Sequence, residues 1–222
     1  MNATQLFDSD ATDLAWLSAQ WRVLAGRYTE RGDESAAVFA WLVDHYSAAG
    51  RAYHNLSHVR ALLTMCAETA ADCADADAVR FAIWFHDCVY DTTRHDNEER
   101  SADLAERELA RLSVSPETVA AVRAMILATK THHADGGDAA MQWFLDLDLA
   151  ILGSAPEIYR AYSAAIRREY EWVPELVYKR ERRKVLERFL ARGAIYFTDA
   201  AARKFEAAAR LNLAAEIDEL SR

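Results

Sequence analysis

Proline and glycine are scarce in this chain, 3 and 7 in 222 residues. Turns that depend on them are correspondingly few, which excludes a collagen-like repeat, a low-complexity linker and a many-stranded sandwich. Cysteine is scarcer still for a chain of this length. Cys66, Cys73 and Cys88 are odd in number and share no CxxC spacing, so a disulfide framework is not expected and a reducing compartment suits them. No apolar run reaches membrane-spanning length, and Asp8, Asp10 and Asp13 stand where a signal peptide needs a cationic start. The expectation is a cytoplasmic protein with no membrane anchor.

Positive charge is also in deficit: 26 basic against 35 acidic side chains give a formal net charge of −9. No uniformly basic face is then available to draw in a nucleic acid polymer or an anionic lipid surface. The deficit is uneven. Residues 1–150 carry 12 basic against 24 acidic side chains, whereas residues 151–222 carry 14 against 11. The excess concentrates between Arg167 and Arg192, but Glu169, Glu171, Glu175, Glu181 and Glu187 interleave with it, as on a solvated helix face.

What remains abundant is helix-forming and apolar. Ala, Leu, Glu and Arg dominate, and 52% of residues are hydrophobic, enough to bury a sizeable core in one domain. The expected fold is all-α. Leu14, Leu17, Trp21, Leu24 and Tyr28 recur at helical spacing. Further helices are predicted over 34–48, closed by Gly50, and over 56–71, 76–88, 97–111, 116–130, 139–151, 155–171, 175–191 and 199–219. Ser115 with Pro116 marks one helix start, and Ser154 with Glu157 has capping-box spacing before another.

All seven histidines precede residue 134, and one is in Phe85-His86-Asp87-Cys88 at the end of the apolar stretch 79–89. A buried imidazole beside a buried carboxylate needs compensation, because an unpaired polar group in a core costs several kcal/mol. An isolated His-Asp pair is met by backbone hydrogen bonds. Here His58 lies one helix upstream and Asp148 lies downstream among apolar neighbours. Two imidazoles and two carboxylates from three helices make a mixed nitrogen and oxygen site suited to Mn, Fe, Co, Ni or Zn.

The order His, His-Asp, Asp resembles the HD superfamily of metal-dependent phosphohydrolases. The likeness is closest to a bacterial branch marked by RxYHNxxH, FHDxVYD, NExxSA, TxxH, DxDLxILG and RxxVLxxFL, which here run from Arg51 to His58, Phe85 to Asp91, Asn97 to Ala102, Thr129 to His132, Asp146 to Gly153 and Arg182 to Leu190. The resemblance implies one HD-type helical domain over 1–222, with core motifs in 51–198 and helices of 1–50 packed on it. It implies His58, His86, Asp87 and Asp148 as ligands of one divalent transition metal, a second metal being less favoured, with Asp146 outside the set.

Hydrolysis of a small phosphorylated metabolite, most naturally a nucleotide, by metal-activated water is the expected function. A metal-dependent nucleotide sensor without turnover and an HD-type di-iron oxygenase are the alternatives. Asp91, at an offset where some HD hydrolases place a catalytic acid, and Glu98, on the helix after the metal loop, are the acid/base candidates. Arg51, His54, Lys130, His132 and Arg182 are candidates for binding the phosphorylated substrate. Tyr159, Tyr162, Tyr170, Trp172 and Tyr178 either stack on a base or fill the core. His45 and His95 are assigned to surface or packing.

Overall fold

The computed structural model describes residue 7 and residues 11–69, 75–134 and 136–222, with the backbone alone for 11 and 12. Cys73 and the acidic residues Asp8 and Asp10 lie outside the described residues, as does the end of the helix predicted over 56–71. The described chain is all-helical: α1 (Ala11–Ala25), α2 (Gly32–Tyr46), α3 (Leu56–Thr69), α4 (Ala76–Phe85), α5 (Asn97–Arg111), α6 (Pro116–Ala128), α7 (Ala139–Leu149), a 3-10 turn at Ala150–Gly153, α8 (Pro156–Glu169), α9 (Glu175–Leu190) and α10 (Asp199–Leu220). None of the described helices is long and apolar enough to cross a membrane.

The apolar side chains segregate into two clusters. The larger is built from α1 to α7 around α4, whose residues Phe81 to Phe85 are all fully buried. The second half of α4 is apolar on every side and so has no solvent face, which is why it occupies the centre, while Asp77 and Arg80 in the first half pair at the surface. Trp21 on α1 meets Phe81, Trp84 and Phe85 edge-on at 6.1, 5.5 and 6.2 Å, and donates its indole N–H to the Ser35 carbonyl at 2.9 Å. Helices α1 and α2 therefore belong to this core rather than lying apart from it. The smaller cluster joins Phe7 and Tyr53 to the 3-10 turn, α8, α9 and α10.

The chain passes between clusters at two points. Tyr53 belongs to the smaller and Leu56 to the larger; Leu147 belongs to the larger and Leu149 to the smaller. The first crossing leads straight into His58 at the start of α3, and the second carries Asp148. Asp146 secures the second crossing by accepting from the backbone N–H of Phe197 and Thr198, each at 2.8 Å, and from the Thr198 hydroxyl at 2.7 Å.

Several local expectations are corrected. Ser115 caps α6, accepting from Thr118 N–H, but Ser154 does not cap α8. Its hydroxyl donates back to the Ile151 carbonyl at 2.8 Å, closing the 3-10 turn, and Pro156 starts α8 instead. Leu14 is 38% exposed, so the α1 stripe reduces to Leu17, Trp21 and Leu24, and the helix ends before Tyr28. Helix α2 stops at Tyr46; Gly50, at φ +90°, serves the following turn. Helix α4 stops at Phe85, so His86 and Asp87 sit on the turn that leaves it. Cys66 and Cys88 are both fully buried.

The contact of α10 with the 3-10 turn depends on Gly153. A Cβ there would stand 2.6 Å from the Phe205 Cβ and 2.7 Å from its carbonyl oxygen. Gly153→Ala is expected to destabilise the protein by about 2 kcal/mol through overpacking, measured by urea unfolding. Gly136→Ala, which meets nothing within 4 Å, should stay close to wild type.

Candidate functional site

Four helix ends meet at the seam between the clusters. His58 comes from the first turn of α3, His86 and Asp87 from the turn after α4, Asp148 from the last turn of α7, and His132 from the turn after α6. His58 and His86 are buried, while Asp87 and Asp148 keep 20% and 13% of their side-chain surface open.

Their facing atoms form a tight group. His58 Nε2 lies 3.1 Å from His86 Nε2 and 3.3 Å from Asp148 Oδ1, and His86 Nε2 lies 3.7 Å from the same oxygen. Asp87 Oδ2 is 3.1 Å from His86 Nε2 and 3.9 Å from His58 Nε2. Ligands about 2.1 Å from one cation stand roughly 3.0 Å apart at right angles and roughly 3.4 Å apart at tetrahedral angles. The separations among His58, His86 and Asp148, 3.1 to 3.7 Å, lie within a few tenths of an ångström of those values, so these residues could hold one metal ion. The His86 ring is set for it. Its Nδ1 donates to the Ile83 carbonyl at 3.0 Å, which turns Nε2 toward the group.

Electrostatics within the group follow from burial and opposed charge. Burial alone would lower the His86 pKa, but the charge and hydrogen bond of Asp87, aided by Asp148, lift it to about 9. At His58 burial wins and the pKa falls. Burial would raise both carboxylates, yet His86 for Asp87, and the hydrogen bonds of His132 and His58 for Asp148, hold them well below the usual range.

His132 reaches the group from outside, with Nε2 3.0 Å from Asp148 Oδ2. Its backbone is left-handed at φ +46°, a conformation a non-glycine residue holds only when its surroundings enforce it. Arg192 does so, donating to the carbonyls of His132 at 2.8 Å and Thr131 at 2.9 Å. This arginine was not singled out from the sequence.

The group opens onto a cavity of about 920 Å³, lined at this end by His54, Asp87, Asp148, Glu98, Lys130 and His132. Lys130 donates to the His95 carbonyl at 2.8 Å, pairs with Glu99, and stands 4.0 Å from Glu98. Arg182 also lines the cavity, but its guanidinium is engaged by buried Glu216 at 2.8 and 3.2 Å.

Two of the expected residues fall elsewhere. Asp91 is exposed on the opposite side of the turn, where its Oδ1 accepts from the Thr93 N–H and hydroxyl at 2.9 and 2.6 Å. Arg51 faces that side as well; it donates to the carbonyls of His54 and Asp87, each at 2.8 Å, and of Cys88 at 3.0 Å. It braces the turn that carries His86 and Asp87 from behind. His45 packs on Trp41, and His95 is exposed at the cavity rim.

Glu169 is the clearest correction. Instead of belonging to a solvated face it is 6% exposed, and Oε1 accepts from the backbone N–H groups of Ala52, Tyr53 and His54 at 2.8, 2.7 and 2.9 Å. Oε2 meets His54 Nδ1 at 2.7 Å and the Tyr90 hydroxyl at 2.9 Å. The spacing of Tyr159, Tyr162, Ile166 and Glu169 marks it as inward-facing, a helical signal that its charge obscured.

Comparison with protein-family models, curated proteins and solved structures gives no match.

Burial would raise the Glu169 pKa, but the His54 charge and the donated hydrogen bonds hold it at about 2, against an ordinary 4.5. A folded-state value below the unfolded one stabilises fully above the unfolded pKa, and that stabilisation fades as pH falls toward the folded one. Glu169→Gln should therefore cost about 3 kcal/mol in urea unfolding near neutral pH. The difference from wild type should shrink by about 1 kcal/mol by about pH 3.5; a pH-independent difference would assign the effect to packing.

Proposed function

We propose that the protein is a metal-dependent phosphohydrolase of the HD type acting on a small phosphorylated metabolite. The observation that supports it most is the convergence of His58, His86 and Asp148 at cation-ligand spacing, with Asp148 and the neighbouring Asp87 lining an open cavity. Asp87, 3.1 Å from His86 Nε2, is the fourth ligand in this reading. The donor set, two imidazole nitrogens with carboxylate oxygens, fits one Mn, Fe, Co, Ni or Zn ion. Such a cation supplies charge against a phosphoryl oxygen and makes water acidic enough to attack near neutral pH.

The chain's own groups do the rest. His86 is held by the Ile83 carbonyl in the tautomer that presents Nε2. Asp148 bonds His132 through its second oxygen, which fixes its orientation. Lys130 and His132 offer positive or donating groups to phosphate oxygens at the cavity wall, and Glu98, beside Lys130, is placed to carry a proton. Asp91, facing away, is not part of the reaction in this reading. The surplus of acidic side chains favours a small substrate over a nucleic acid polymer.

Asp87→Ala should lose bound metal, measured by elemental analysis, together with hydrolysis in a screen of mono-, di- and triphosphates, cyclic nucleotides and dinucleotides with Mn, Fe, Co or Ni. Helix content by circular dichroism should stay near wild type, since the two apolar clusters hold the fold. Full hydrolysis by Asp87→Ala would overturn the mechanism. Metal retention without turnover of any phosphate compound by the wild type would favour a sensor.

A further inference from the structure

The cavity is far larger than a phosphate and a cation require, and beyond the end that carries Asp87, Asp148, Lys130 and His132 its lining is mostly carbon. One apolar strip runs the length of it. Val177, Val185 and Phe189 of α9 all line the cavity, and at 1.5 Å of rise per residue the strip they form is about 18 Å long. Its inner end touches the charged group: the Phe189 ring meets the His132 ring edge-on at 5.8 Å, and His132 bonds Asp148 at 3.0 Å. Its outer end is open. Val177 is 40% exposed and Trp172, beside it on the lining, is 56% exposed, with the indole N–H fixed to the Thr92 hydroxyl at 2.8 Å.

The polar side chains along this strip are engaged with the protein itself. Glu181 accepts from Arg180 at 2.8 Å and from Lys184 at 3.1 Å, Arg182 is held by Glu216, Arg188 donates to the Lys184 carbonyl at 3.3 Å, and Arg192 donates to the carbonyls of Thr131 and His132. The hydroxyls of Tyr162 and Tyr170 bond Arg182 and Tyr90. Tyr159, Tyr162 and Tyr178 are buried, so these aromatics fill the core instead of offering a face to a ring. A polar ligand portion laid along the strip would exchange water for few partners, whereas a hydrocarbon gains by leaving water.

We propose that the strip is a subsite for the hydrocarbon chain of a phosphate monoester, the phosphate lying at the charged end and the chain along Phe189, Val185 and Val177 toward Trp172. The ligand class is then the phosphate ester of an apolar alcohol, taken from solution. The strip holds such a chain within the cavity, so no bilayer is needed to carry it, and a net charge of −9 opposes approach to an anionic one. This subsite rests on the phosphohydrolase reading of the same cavity and names its substrate. Hydrolysis would add water across the bond between phosphorus and the ester oxygen, releasing inorganic phosphate and the alcohol, with one water proton ending on the alcohol oxygen.

Calorimetric titration of the full chain with added Mn tests the subsite, using inorganic phosphate, butylphosphonate and octylphosphonate, the last two being analogues that resist hydrolysis. The wild type should bind octylphosphonate at least about tenfold tighter than butylphosphonate, since each further buried methylene adds to the affinity. Val185→Asp should bring that ratio near one. Val177→Asp, at a half-exposed position where folding is not at stake, should do the same, and both variants should keep their affinity for inorganic phosphate within about twofold of wild type. Hydrolysis is assayed separately with octyl phosphate and adenosine 5′-monophosphate, and kcat/KM should favour octyl phosphate by about tenfold.

Equal affinity for the two phosphonates overturns the subsite. So do equal losses for all probes in the variants, adenosine 5′-monophosphate hydrolysed as well as octyl phosphate, and no binding of any probe. The two readings fail separately. Preference for the longer chain without turnover of either ester leaves the subsite standing and removes the hydrolase reading, whereas turnover without chain preference does the reverse.

Discussion

Everything at the seam depends on the mutual neutralisation of buried charge. Two imidazoles within 3.1 Å of each other would repel if both were protonated, and carboxylates beside apolar helices would take up protons if left alone. The four side chains coexist because Asp87 stabilises a charged His86 while burial keeps His58 neutral, so the group holds opposite charges at contact distance. A divalent cation held by these residues would perform the same office as the proton on His86, with more charge and more directions of attachment. The demand for compensation that makes the cluster tolerable in a core is thus the property that would let it hold a metal ion.

That cluster can exist only if helix ends are brought together and kept there. Side chains from the middle of a helix project into packed neighbours, whereas the ends leave backbone and side-chain groups free to turn toward a cavity. The ends are secured by polar clamps across the seam. Glu169 gathers three backbone N–H groups of the 52–54 turn, Asp146 gathers two near 197–198, Arg51 gathers three carbonyls, and Arg192 gathers two. Each is a charged group serving backbone atoms that lie outside helices, the type of hydrogen bond with the largest net contribution, about 1.5–3 kcal/mol. The smaller cluster is fastened to the larger by these contacts as much as by apolar packing.

The all-helical fold and most helix positions were legible because they rest on periodicity, a local property. The histidines and carboxylates of the cluster were legible for a different reason: ionisable groups inside apolar stretches, as at His86 and Asp148, conflict with their surroundings and so announce a compensating partner. What could not be read were the partners of charged residues distant in sequence. Glu169 looked like a member of a solvated run and Arg182 like a contact for phosphate, since what a charge on a helix meets depends on what packs against that helix. Arg51 carried a motif position yet turned to the back of the site, because the direction in which a turn presents its side chain depends on the carbonyls it meets. Asp91 likewise closed a local turn with Thr93 instead of reaching the cavity.

His132 shows how these levels meet in one residue. The turn after α6 places it in a left-handed conformation that costs on the order of 1–3 kcal/mol for a residue with a Cβ. Arg192 on one side and Lys130, anchored to the His95 carbonyl, on the other fix the turn in that shape. The return is directional: Nε2 meets Asp148 Oδ2 while Oδ1 of the same carboxylate faces His58 and His86. One carboxylate thereby spans a buried imidazole pair and a third imidazole on the cavity wall. Its two oxygens are not equivalent; the first is committed to the buried imidazole pair, and the second ties that pair to the cavity wall.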